Sequence, residues 1–569
     1  MGILSFLKSK PSKPSIRPLV LLVLDGYGIA PSSAGNAITQ AKTPYIDSLM
    51  NSYPHTELIA SGESVGLPAN EVGNTEVGHL ALGAGRIIYQ DLKRISLAIE
   101  DETFFDNKAF LHALAHCRKY NSKIHLMGLV GTGNVHSSIE HFYGLLQFFK
   151  KAEFSNVFLH LFTDGRDTPP KEAVEIITQI QTHLNNNKIG TIASISGRYY
   201  AMDRDRRWDR TEKAYKAIVL GKGQVAASAQ EAVNSAYSKG LTDEFIEPTV
   251  IMAQGRPLAT IDDNDAAIFF NFRVDRPRQL TMAFVLPDFE KLTSFEFGYA
   301  PGTELEEGKA TFRGTFQREK WARNIFFVTM TQYHKRLVVS EIAFGPQMVP
   351  DGLTAQLASA NLKQMHMAES EKERFITYYF DGMSERLFPG EEVSIVASPK
   401  VATYDKKPEM SVFKLVHEFK KQLSKGIYNF FVVNFANPDM VAHTGNLKAT
   451  IKANEFVDKA VEKFVEAVKL IGGTVIITAD HGNAEELLTY ETTSFFFTTG
   501  VGKVNTEHSN NPVPIVFVNN KYTGHGVTLA RGSLADVAPT ILAIMGLSAP
   551  ATMTGRNLLT SIAPGGKPS

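Results

Sequence analysis

Six residues of metal-ligating type have the spacing expected around divalent ions: Asp25, Asp439, His443, Asp480, His481 and His508. Asp439 and His443 are four residues apart, so a helix would present both side chains on one face. A mixed set of oxygen and nitrogen ligands without sulfur suits Mn²⁺, Zn²⁺, Co²⁺ or, less well, Mg²⁺. Six ligands are enough for two ions, and two-metal sites recur in phosphoryl transfer.

Each part of this set has an ordinary explanation when it is taken alone. An aspartate and a histidine four residues apart are common on solvated helices, and His508 by itself would be a surface histidine. Asp480-His-Gly-Asn483 directly after an apolar run is more specific. The metal hypothesis therefore depends on the conjunction of these residues rather than on any one of them.

A candidate nucleophile, Thr75, lies in the segment Gly73-Asn-Thr-Glu-Val-Gly-His79. A hydroxyl at the start of a helix lies in the positive field of the helix N-terminus, which favours bound phosphate. A nearby metal ion can also lower the pKa of such a hydroxyl. The alternative is that Thr75 only caps the helix, and the local sequence by itself favours the cap.

Three apolar runs of strand type would position the aspartates. The runs cover residues 18–24, 430–435 and 474–478, and they lead to Asp25, Asp439 and Asp480. Continuous apolar runs are typical of parallel strands covered on both faces, and helical patterns, for example at residues 451–471 and 534–545, lie between and after them. Ligands of such sheets bind at the carboxyl ends of the strands. We therefore predict an α/β fold with a mostly parallel sheet, in which the three aspartates converge on one edge.

The segment 91–320 has strands and helices of its own, for example at residues 123–129 and 157–162. It separates the first apolar run from the other two. The sequence therefore predicts a sheet domain built from both chain ends, residues 18–90 and 321–569, with a second α/β domain inserted at 91–320. Residues 1–17 are predicted to be a flexible N-terminal extension, with a transit peptide as the less favoured alternative.

The composition excludes several classes of protein. Lys+Arg and Asp+Glu both number 59, so no general basic excess indicates nucleic-acid binding. No stretch is long and apolar enough to span a bilayer. Cys117 is the only cysteine, which excludes an intramolecular disulfide and a thiolate-clustered metal site. These features are those of an ordinary globular protein in a reducing compartment.

Longer motifs carry a resemblance that spans nearly the whole chain. They are Leu24-Asp-Gly-Tyr-Gly28, Gly73-Asn-Thr-Glu-Val-Gly-His-Leu80, Gly83-Ala-Gly-Arg-Ile87, Asp164-Gly-Arg-Asp167, Ser196-Gly-Arg-Tyr-Tyr200, Met202-Asp-Arg-Asp205, Arg207-Trp-Asp-Arg210, Asp263-Asn-Asp265, Asn271-Phe-Arg273, Pro399-Lys400, Lys407-Pro-Glu-Met-Ser411, Asn437-Pro-Asp-Met440 and Thr478-Ala-Asp-His-Gly-Asn483. With these motifs the chain resembles the cofactor-independent phosphoglycerate mutases of the alkaline phosphatase superfamily. The metal motifs alone would indicate only the superfamily, whereas the arginine-bearing motifs of the inserted segment indicate the mutase.

The resemblance implies a reaction and its ligands. The enzyme would interconvert 3-phosphoglycerate and 2-phosphoglycerate, in glycolysis and gluconeogenesis, through a phosphothreonine at Thr75 and without 2,3-bisphosphoglycerate. One Mn²⁺ would be held by Asp439, His443 and His508, and the other by Asp25, Asp480, His481 and the Thr75 oxygen. The implied substrate-binding residues are His136, Arg166, Asp167, Arg198, Arg204, Arg273, Arg276 and Lys372. We expect a cytoplasmic monomer that binds neither nucleic acid nor a membrane.

Three positions depart from the family pattern. Thr75 stands where the family usually has serine, although relatives in the superfamily use threonine. Gly131-Thr-Gly-Asn134 replaces the family's Ser-Asp-Gly-Gly before His136, so a different loop geometry is expected there. The segment 487–507 is long and carries Phe495-Phe-Phe497 near His508, either as a lid element or as a packed insertion.

Two other functions fit parts of the pattern. A metal-dependent phosphatase, or another sugar-phosphate mutase of the superfamily, would share the metal ligands, and its products from 3-phosphoglycerate would distinguish it. A catalytically silent binding protein is the second alternative, with Thr75 as a sign of a decayed site. The complete sets of metal ligands and arginines argue against that alternative.

Overall fold

A computed structural model describes residues 17–292, 314–489, 502–522 and 529–561 of the chain. The predicted N-terminal extension, apart from Arg17, lies outside the described residues. The part of the 487–507 segment that carries Phe495 to Phe497 also lies outside them, so the lid hypothesis stays a prediction. In the described ranges, no helix has the length and apolar character needed to cross a bilayer.

The strands of the described residues are, in chain order, β1 (Leu19–Leu24), β2 (His55–Ile59), β3 (Ile124–Val130), β4 (Val157–Thr163), β5 (Thr191–Gly197), β6 (Gln224–Ala226), β7 (Thr249–Ala253), β8 (Arg256–Pro257), β9 (Ala266–Phe269), β10 (Phe326–Thr331), β11 (Glu341–Phe344), β12 (Gln364–Glu369), β13 (Glu391–Val396), β14 (Phe430–Phe435), β15 (Thr474–Thr478), β16 (Leu488–Thr489), β17 (Lys503–Val504), β18 (Val513–Val518) and β19 (Gly532–Ser533). The α-helices are α1 (Ala37–Gln40), α2 (Pro44–Ser52), α3 (Thr75–Ala84), α4 (Asp91–Glu100), α5 (Lys108–Tyr120), α6 (Ile139–Lys151), α7 (Ala173–Asn187), α8 (Arg198–Ala201), α9 (Trp208–Leu220), α10 (Ala229–Ser238), α11 (Arg278–Val285), α12 (Leu353–Ser359), α13 (Val412–Ser424), α14 (Asn437–Ala442), α15 (Leu447–Leu470) and α16 (Val537–Ile544).

The chain divides into two compact units. The first consists of the residues up to Gln90 together with those from Gln347 onward, and the second, inserted unit is Asp91–Pro346. The predicted fold, a sheet domain from both chain ends with an inserted α/β domain, is confirmed. The second junction lies later than the predicted one at 320/321, because β10 pairs with β9 and β11 pairs with β10 in the sheet of the inserted unit. An apolar strand pattern does not show by itself which sheet the strand joins.

The sheet of the first unit has the order β13-β12-β14-β1-β15-β18-β2-β19. Its strands from β13 to β15 are parallel, and β18 is antiparallel to β15. The three predicted strands β14, β1 and β15 are adjacent, and every residue in them is buried. Leu24 of β1 pairs with Phe435 of β14, so these strands end side by side.

Helix α15 covers this sheet with a buried stripe. Val457, Val461, Phe464 and Val468 are all inaccessible to solvent, and they recur every three or four residues, as the face of an amphipathic helix must. Phe464 stacks on Phe419 of α13 with ring centroids 3.9 Å apart. Helices α15 and α13 therefore pack together over the buried strands of this sheet.

The sheet of the inserted unit has the order β11-β10-β9-β3-β4-β5-β7-β6, and β8 pairs with β7. The strands from β11 to β5 are parallel. Because parallel strands end at the same edge, the segments after β3, β4, β5 and β9 start close together.

Candidate metal centre and arginine cluster

The carboxyl ends of β14, β1 and β15 bring three buried aspartates together. Asp25 follows β1, Asp439 lies in the first turn of α14 after β14, and Asp480 follows β15. None of the three is more than 1% exposed. The backbone N–H of Asp439 donates to the carbonyl of Asp25 at 3.0 Å. The convergence predicted from the strand ends is confirmed.

Three histidines complete the group. His443 Nε2 is 3.2 Å from Asp439 Oδ1 and 3.1 Å from His508 Nε2. His481 Nε2 lies 3.5 Å from Asp25 Oδ1 and 3.4 Å from Asp480 Oδ2. The structure therefore brings together the residues of both ligand sets implied by the resemblance, and their binding of metal stays a prediction.

The other ring nitrogens of two histidines face backbone carbonyls. His443 Nδ1 is 2.8 Å from the Thr506 oxygen, and His508 Nδ1 is 2.9 Å from the Gly73 oxygen. A carbonyl only accepts, so both Nδ1 atoms carry a proton, and Nε2 is the atom of each ring that would bind a metal when the ring is neutral. This is the tautomer that a metal ligand needs.

Thr75 is the first residue of α3, and the preceding residue caps that helix. Asn74 has extended backbone angles, and its side chain accepts from the Val77 N–H at 3.1 Å. The interpretation of Thr75 as the cap is therefore wrong. Thr75 Oγ1 instead lies 2.9 Å from His481 Nε2 and 3.2 Å from Lys372 Nζ, so the hydroxyl faces the aspartate–histidine group.

Lys372, predicted among the substrate-binding residues, lies within the aspartate group. Its Nζ donates to Asp25 Oδ1 and to Asp439 Oδ2, each at 2.7 Å. Burial alone would lower the pKa of Lys372, but Asp25 and Asp439 raise it well above its ordinary value. The ammonium is therefore a permanent cation next to the Thr75 hydroxyl.

The buried carboxylates of this group outnumber its one permanently charged cation, Lys372. Three carboxylates face one ammonium, which leaves two negative charges when the histidines are neutral. Uncompensated charge is costly to bury. Burial alone would lower the pKa of His481, but Asp480, Asp25 and Asp439 raise it to about 9. Asp480 Oδ2 is also a buried oxygen without a hydrogen-bond partner among the described residues. Divalent ions at the two ligand sets would supply both the charge and the missing partner.

Two buried polar residues behind the aspartates were not identified from the sequence. Asn434 of β14 donates from Nδ2 to Asp25 Oδ2 at 2.6 Å. His79 of α3 approaches Asp480 Oδ2 to 3.2 Å, but its Nδ1–H is directed at the Thr75 carbonyl, 3.0 Å away. Each had a signal in the sequence, because Asn434 interrupts an apolar run and His79 follows Thr75 by one helical turn.

The inserted unit carries a second cluster at the ends of its parallel strands. Its members are His136, Asp164, Arg166, Asp167, Arg198, Arg204, Arg273, Asp275 and Arg276. Arg198 Nη1 donates to Asp164 Oδ1 at 2.7 Å and to Asp167 Oδ2 at 2.5 Å. Arg204 Nη1 donates to Asp275 Oδ2 at 2.7 Å. Asp164 and Asp275, which were not predicted as site residues, thus hold the arginines in place.

His136 belongs to this cluster despite the unusual segment before it. Its Nε2 is 3.6 Å from Asp167 Oδ2, and its Nδ1 is 3.7 Å from Asp275 Oδ1. Its carbonyl accepts from the Arg273 N–H at 3.2 Å, which ties the loop to the segment after β9. Burial and the charge of Arg198 lower the pKa of His136, so the ring is neutral near neutral pH.

Several buried atoms of the arginine cluster make no hydrogen bond in the described part of the chain, although some lie in longer ion pairs. They include the donors Arg198 Nε and Arg276 Nε, together with His136 Nδ1 and the acceptor Asp275 Oδ1. Unsatisfied buried donors suit an anion, and the carboxylate oxygen suits a hydroxyl. Arg166 lies at the edge, where its side chain is 54% exposed and 3.5 Å from Glu244. The free donors of the cluster are therefore of the kind that binds anions, and substrate binding by these residues stays a prediction.

Two family models match the chain. Residues 95–335 match the family described as the BPG-independent PGAM N-terminus. Residues 315–545 match the type I phosphodiesterase / nucleotide pyrophosphatase family. The first match covers most of the inserted unit, and the second covers the segments that carry Asp439, Asp480 and the three histidines.

Curated relatives are similar over nearly their full length. A 2,3-bisphosphoglycerate-independent phosphoglycerate mutase from Moorella thermoacetica is 46% identical over 543 residues, which cover 95% of this chain and 98% of the relative. The protein of that name from Clostridium beijerinckii is 44% identical, with 96% of this chain and 100% of the relative covered. A solved structure, Leishmania mexicana phosphoglycerate mutase at low cobalt concentration, has a TM-score of 0.56 and 28% identity, with 96% and 98% covered.

Proposed function

Because the chain belongs to the 2,3-bisphosphoglycerate-independent phosphoglycerate mutases, which are isomerases, we propose that it interconverts 3-phosphoglycerate and 2-phosphoglycerate through a phosphothreonine at Thr75. The observation that carries this proposal is the position of the Thr75 hydroxyl. It lies 2.9 Å from His481 Nε2 and 3.2 Å from Lys372 Nζ at the N-terminus of α3. A hydroxyl among metal-ligating groups and beside a fixed cation has the surroundings of an activated nucleophile.

Two divalent ions are proposed for the two ligand sets. One set is Asp439, His443 and His508, and the other is Asp25, Asp480, His481 and Thr75 Oγ1. Mn²⁺ is the first choice, with Co²⁺, Mg²⁺ and Zn²⁺ as alternatives, because the ligands are oxygen and nitrogen without sulfur. When bound, the ions would lower the pKa of the Thr75 hydroxyl and neutralise phosphoryl charge.

The transfer would take two displacements. Thr75 Oγ1 loses its proton and bonds to the phosphorus of 3-phosphoglycerate, while the bond from phosphorus to the glycerate O3 breaks and O3 takes up a proton. The bound glycerate then reorients. Its O2 loses a proton and attacks the phosphorus, the bond to Thr75 Oγ1 breaks, and Thr75 regains a proton. Lys372 Nζ and the N-terminus of α3 hold the phosphoryl oxygens during both steps.

The arginine cluster is proposed to bind the anionic groups and the hydroxyl groups of the substrate. Arg198 Nε and Arg276 Nε would donate to the negatively charged groups, because arginine matches the geometry of carboxylate and phosphate. Asp275 Oδ1 would accept a glycerate hydroxyl. Retaining glycerate and excluding water between the two displacements is what separates a mutase from a phosphatase.

No 2,3-bisphosphoglycerate would be required, because Thr75 itself carries the phosphoryl group between the two displacements. The same proposal places the protein in the cytoplasm, since the substrate is an intermediate of glycolysis. We also propose a monomer, which gel filtration of the purified chain would test.

The test of the function is a product analysis. The purified chain, supplied with Mn²⁺ and 3-phosphoglycerate, should form 2-phosphoglycerate at the same rate with and without 2,3-bisphosphoglycerate, as followed by a coupled enolase assay. Release of free phosphate in its place would show a phosphatase. Formation of neither product, by a folded protein that binds 3-phosphoglycerate, would favour a silent binding protein.

A further inference from the structure

We propose that Glu485 is a positioning residue whose carboxylate fixes the three loops that carry the proposed metal ligands. The inference rests on the metal centre of the proposed function. Glu485 lies in the turn after His481, and it is 1% exposed. Nothing in the sequence distinguished it from the neighbouring Glu486.

The carboxylate of Glu485 accepts four hydrogen bonds. Its Oε2 accepts from the backbone N–H groups of Gly28 at 3.0 Å and Asn483 at 2.9 Å. Its Oε1 accepts from the Ser509 hydroxyl, and from Asn511 Nδ2 at 3.1 Å. Each oxygen thus accepts two hydrogen bonds. Three of the four donors lie outside the turn that carries Glu485, and the fourth is the backbone N–H of Asn483.

These donors belong to three different ligand-bearing loops. Gly28 follows Asp25 in the loop after β1, Asn483 follows His481 in the loop after β15, and Ser509 is next to His508 in the loop before β18. Because a single carboxylate binds all three, a displacement of any one loop must break a buried, charge-assisted hydrogen bond.

Asn483 extends the link to the fourth segment of the site. Its backbone is held by Glu485, and its Nδ2 donates to Asp439 Oδ1 at 2.8 Å. Glu485 is therefore connected to the aspartate of the other ligand set as well.

Two glycines make room for this carboxylate. A Cβ atom at Gly28 would lie 2.3 Å from Glu485 Cδ, and a Cβ atom at Gly482 would lie 2.3 Å from Glu485 Oε1. A side chain at either position would have to displace the carboxylate and break its hydrogen bonds. Gly28 does not need glycine for its backbone angles, because its φ is not positive. Its lack of a side chain is explained by Glu485.

The carboxylate acts through these loops rather than as a ligand. The sets of His, Asp and Glu side chains in the described residues whose ligand atoms lie within 4.8 Å of one another do not include Glu485. Partners that orient metal ligands typically change metal affinity by roughly 10- to 100-fold when they are replaced.

The experiment compares Mn²⁺ binding by the full chain after removal of metal with a chelator. Wild type, Glu485→Gln, Gly28→Ala and the control Glu486→Gln are titrated by calorimetry, and Co²⁺ absorption spectra report the coordination geometry. Glu486 is the matched control because it is adjacent to Glu485 and its carboxylate also accepts from Asn511, at 2.8 Å. Unlike Glu485, its side chain forms no hydrogen bond with the described residues of the loop after β1 or the loop after β15.

We expect Glu485→Gln and Gly28→Ala to weaken Mn²⁺ binding by roughly 10- to 100-fold and to change the Co²⁺ spectrum, whereas Glu486→Gln should match wild type. A Glu485→Ala/Gly28→Ala double variant, titrated beside the single variant Glu485→Ala, should bind Mn²⁺ as well as that single variant, because the new methyl group then meets no carboxylate. Wild-type affinity and spectrum in both Glu485→Gln and Gly28→Ala would overturn the inference about Glu485 and leave the proposed metal centre intact. A wild-type chain that binds no divalent ion would overturn the proposed metal centre and this inference together.

Discussion

The two polar clusters of this chain are built in opposite ways. In the first unit, aspartates surround the site, and its unpartnered buried atoms are acceptors, such as Asp480 Oδ2 and Asn483 Oδ1. In the inserted unit, arginines surround the site, and its unpartnered atoms are mainly donors, such as Arg198 Nε and Arg276 Nε. The unpartnered atoms of one cluster therefore suit cations, and those of the other suit an anion.

The clusters also differ in how their residues are held. The aspartates come directly from strand ends and are almost completely buried, whereas the side chains of Arg204 and Arg273 are 45% and 46% exposed and are held by Asp275. A rigid, buried site suits bond making, and long cations at the surface suit capture of a charged ligand. We infer that changes in the first cluster reduce kcat and that changes in the second also raise KM.

The largest effect is expected at Thr75. Thr75→Ala removes the proposed phosphoryl acceptor and should eliminate mutase activity, while Thr75→Ser keeps a hydroxyl and should remain active. Because Asn74 caps α3, the alanine variant should fold and should still bind Mn²⁺. Coupled enolase assays and calorimetry check both statements. Near-normal turnover by a folded, metal-loaded Thr75→Ala protein would contradict the covalent mechanism.

Removal of metal should abolish turnover but should leave part of the substrate binding by the arginine cluster. Prolonged chelation is expected to abolish activity, and Mn²⁺ or Co²⁺ should restore it, because the proposed ions would neutralise the buried aspartates and the phosphoryl group. Binding of 3-phosphoglycerate to the arginine cluster should persist in part without metal. Activity and substrate binding are measured on the same chelated sample. Full turnover by metal-free protein would refute the division of roles.

A smaller effect is expected in the arginine cluster. Arg276→Ala removes a buried donor and should lower kcat/KM by roughly 10- to 100-fold, since a charge-assisted hydrogen bond contributes about 1.5–3 kcal/mol. Mn²⁺ affinity should not change. Arg323→Ala is a suitable control, because Arg323 is an exposed arginine of the same unit. If Arg276→Ala behaves like this control, the arginine is structural.

The smallest effect concerns the stability contributed by a buried carboxyl pair, Asp381 and Glu391, which belongs to neither cluster. Burial and the carboxylate of Glu391 raise the pKa of Asp381 well above its ordinary value. The folded chain thus holds a proton that the unfolded chain releases above about pH 4. The stability from this group is complete below that pH and is lost as the pH rises through the raised pKa.

Asp381→Asn keeps the hydrogen bond from Thr354, which is 2.8 Å long, and it cannot ionise. We expect its free energy of unfolding to depend less on pH than that of wild type, so that the variant gains relative stability on going from mildly acidic to mildly alkaline buffer. Urea denaturation in the two buffers measures this difference. An identical pH dependence in both proteins would show that Asp381 ionises normally.

The strand ends explain why so much of the metal centre was predictable. Asp25, Asp439 and Asp480 each follow a continuous apolar run, and parallel strands must end at one edge, so the sequence pattern already implied their convergence. The four-residue spacing of Asp439 and His443 likewise predicted a shared helical face. The family resemblance supplied the arginines of the inserted unit.

Other features depend on pairing and packing that the sequence does not display. Lys372 follows β12, and only the pairing of β12 with β14 brings its side chain to Asp25. The second domain junction was predicted too early in the chain. The apolar pattern of β10 does not show which of the two sheets the strand joins. Glu485 was missed because its role comes from four donors that are distant in sequence or lie on the backbone.

The central claim is that Thr75 carries the phosphoryl group, and rapid quenching tests it most directly. Metal-loaded enzyme is mixed with 3-phosphoglycerate, stopped in acid within the first turnover and digested, and the peptides are analysed by mass spectrometry. We expect a phosphorylated peptide with the modification on Thr75, and its absence from Thr75→Ala protein. Turnover to 2-phosphoglycerate without any phosphorylation of Thr75, or with the phosphoryl group on another residue, would contradict the account.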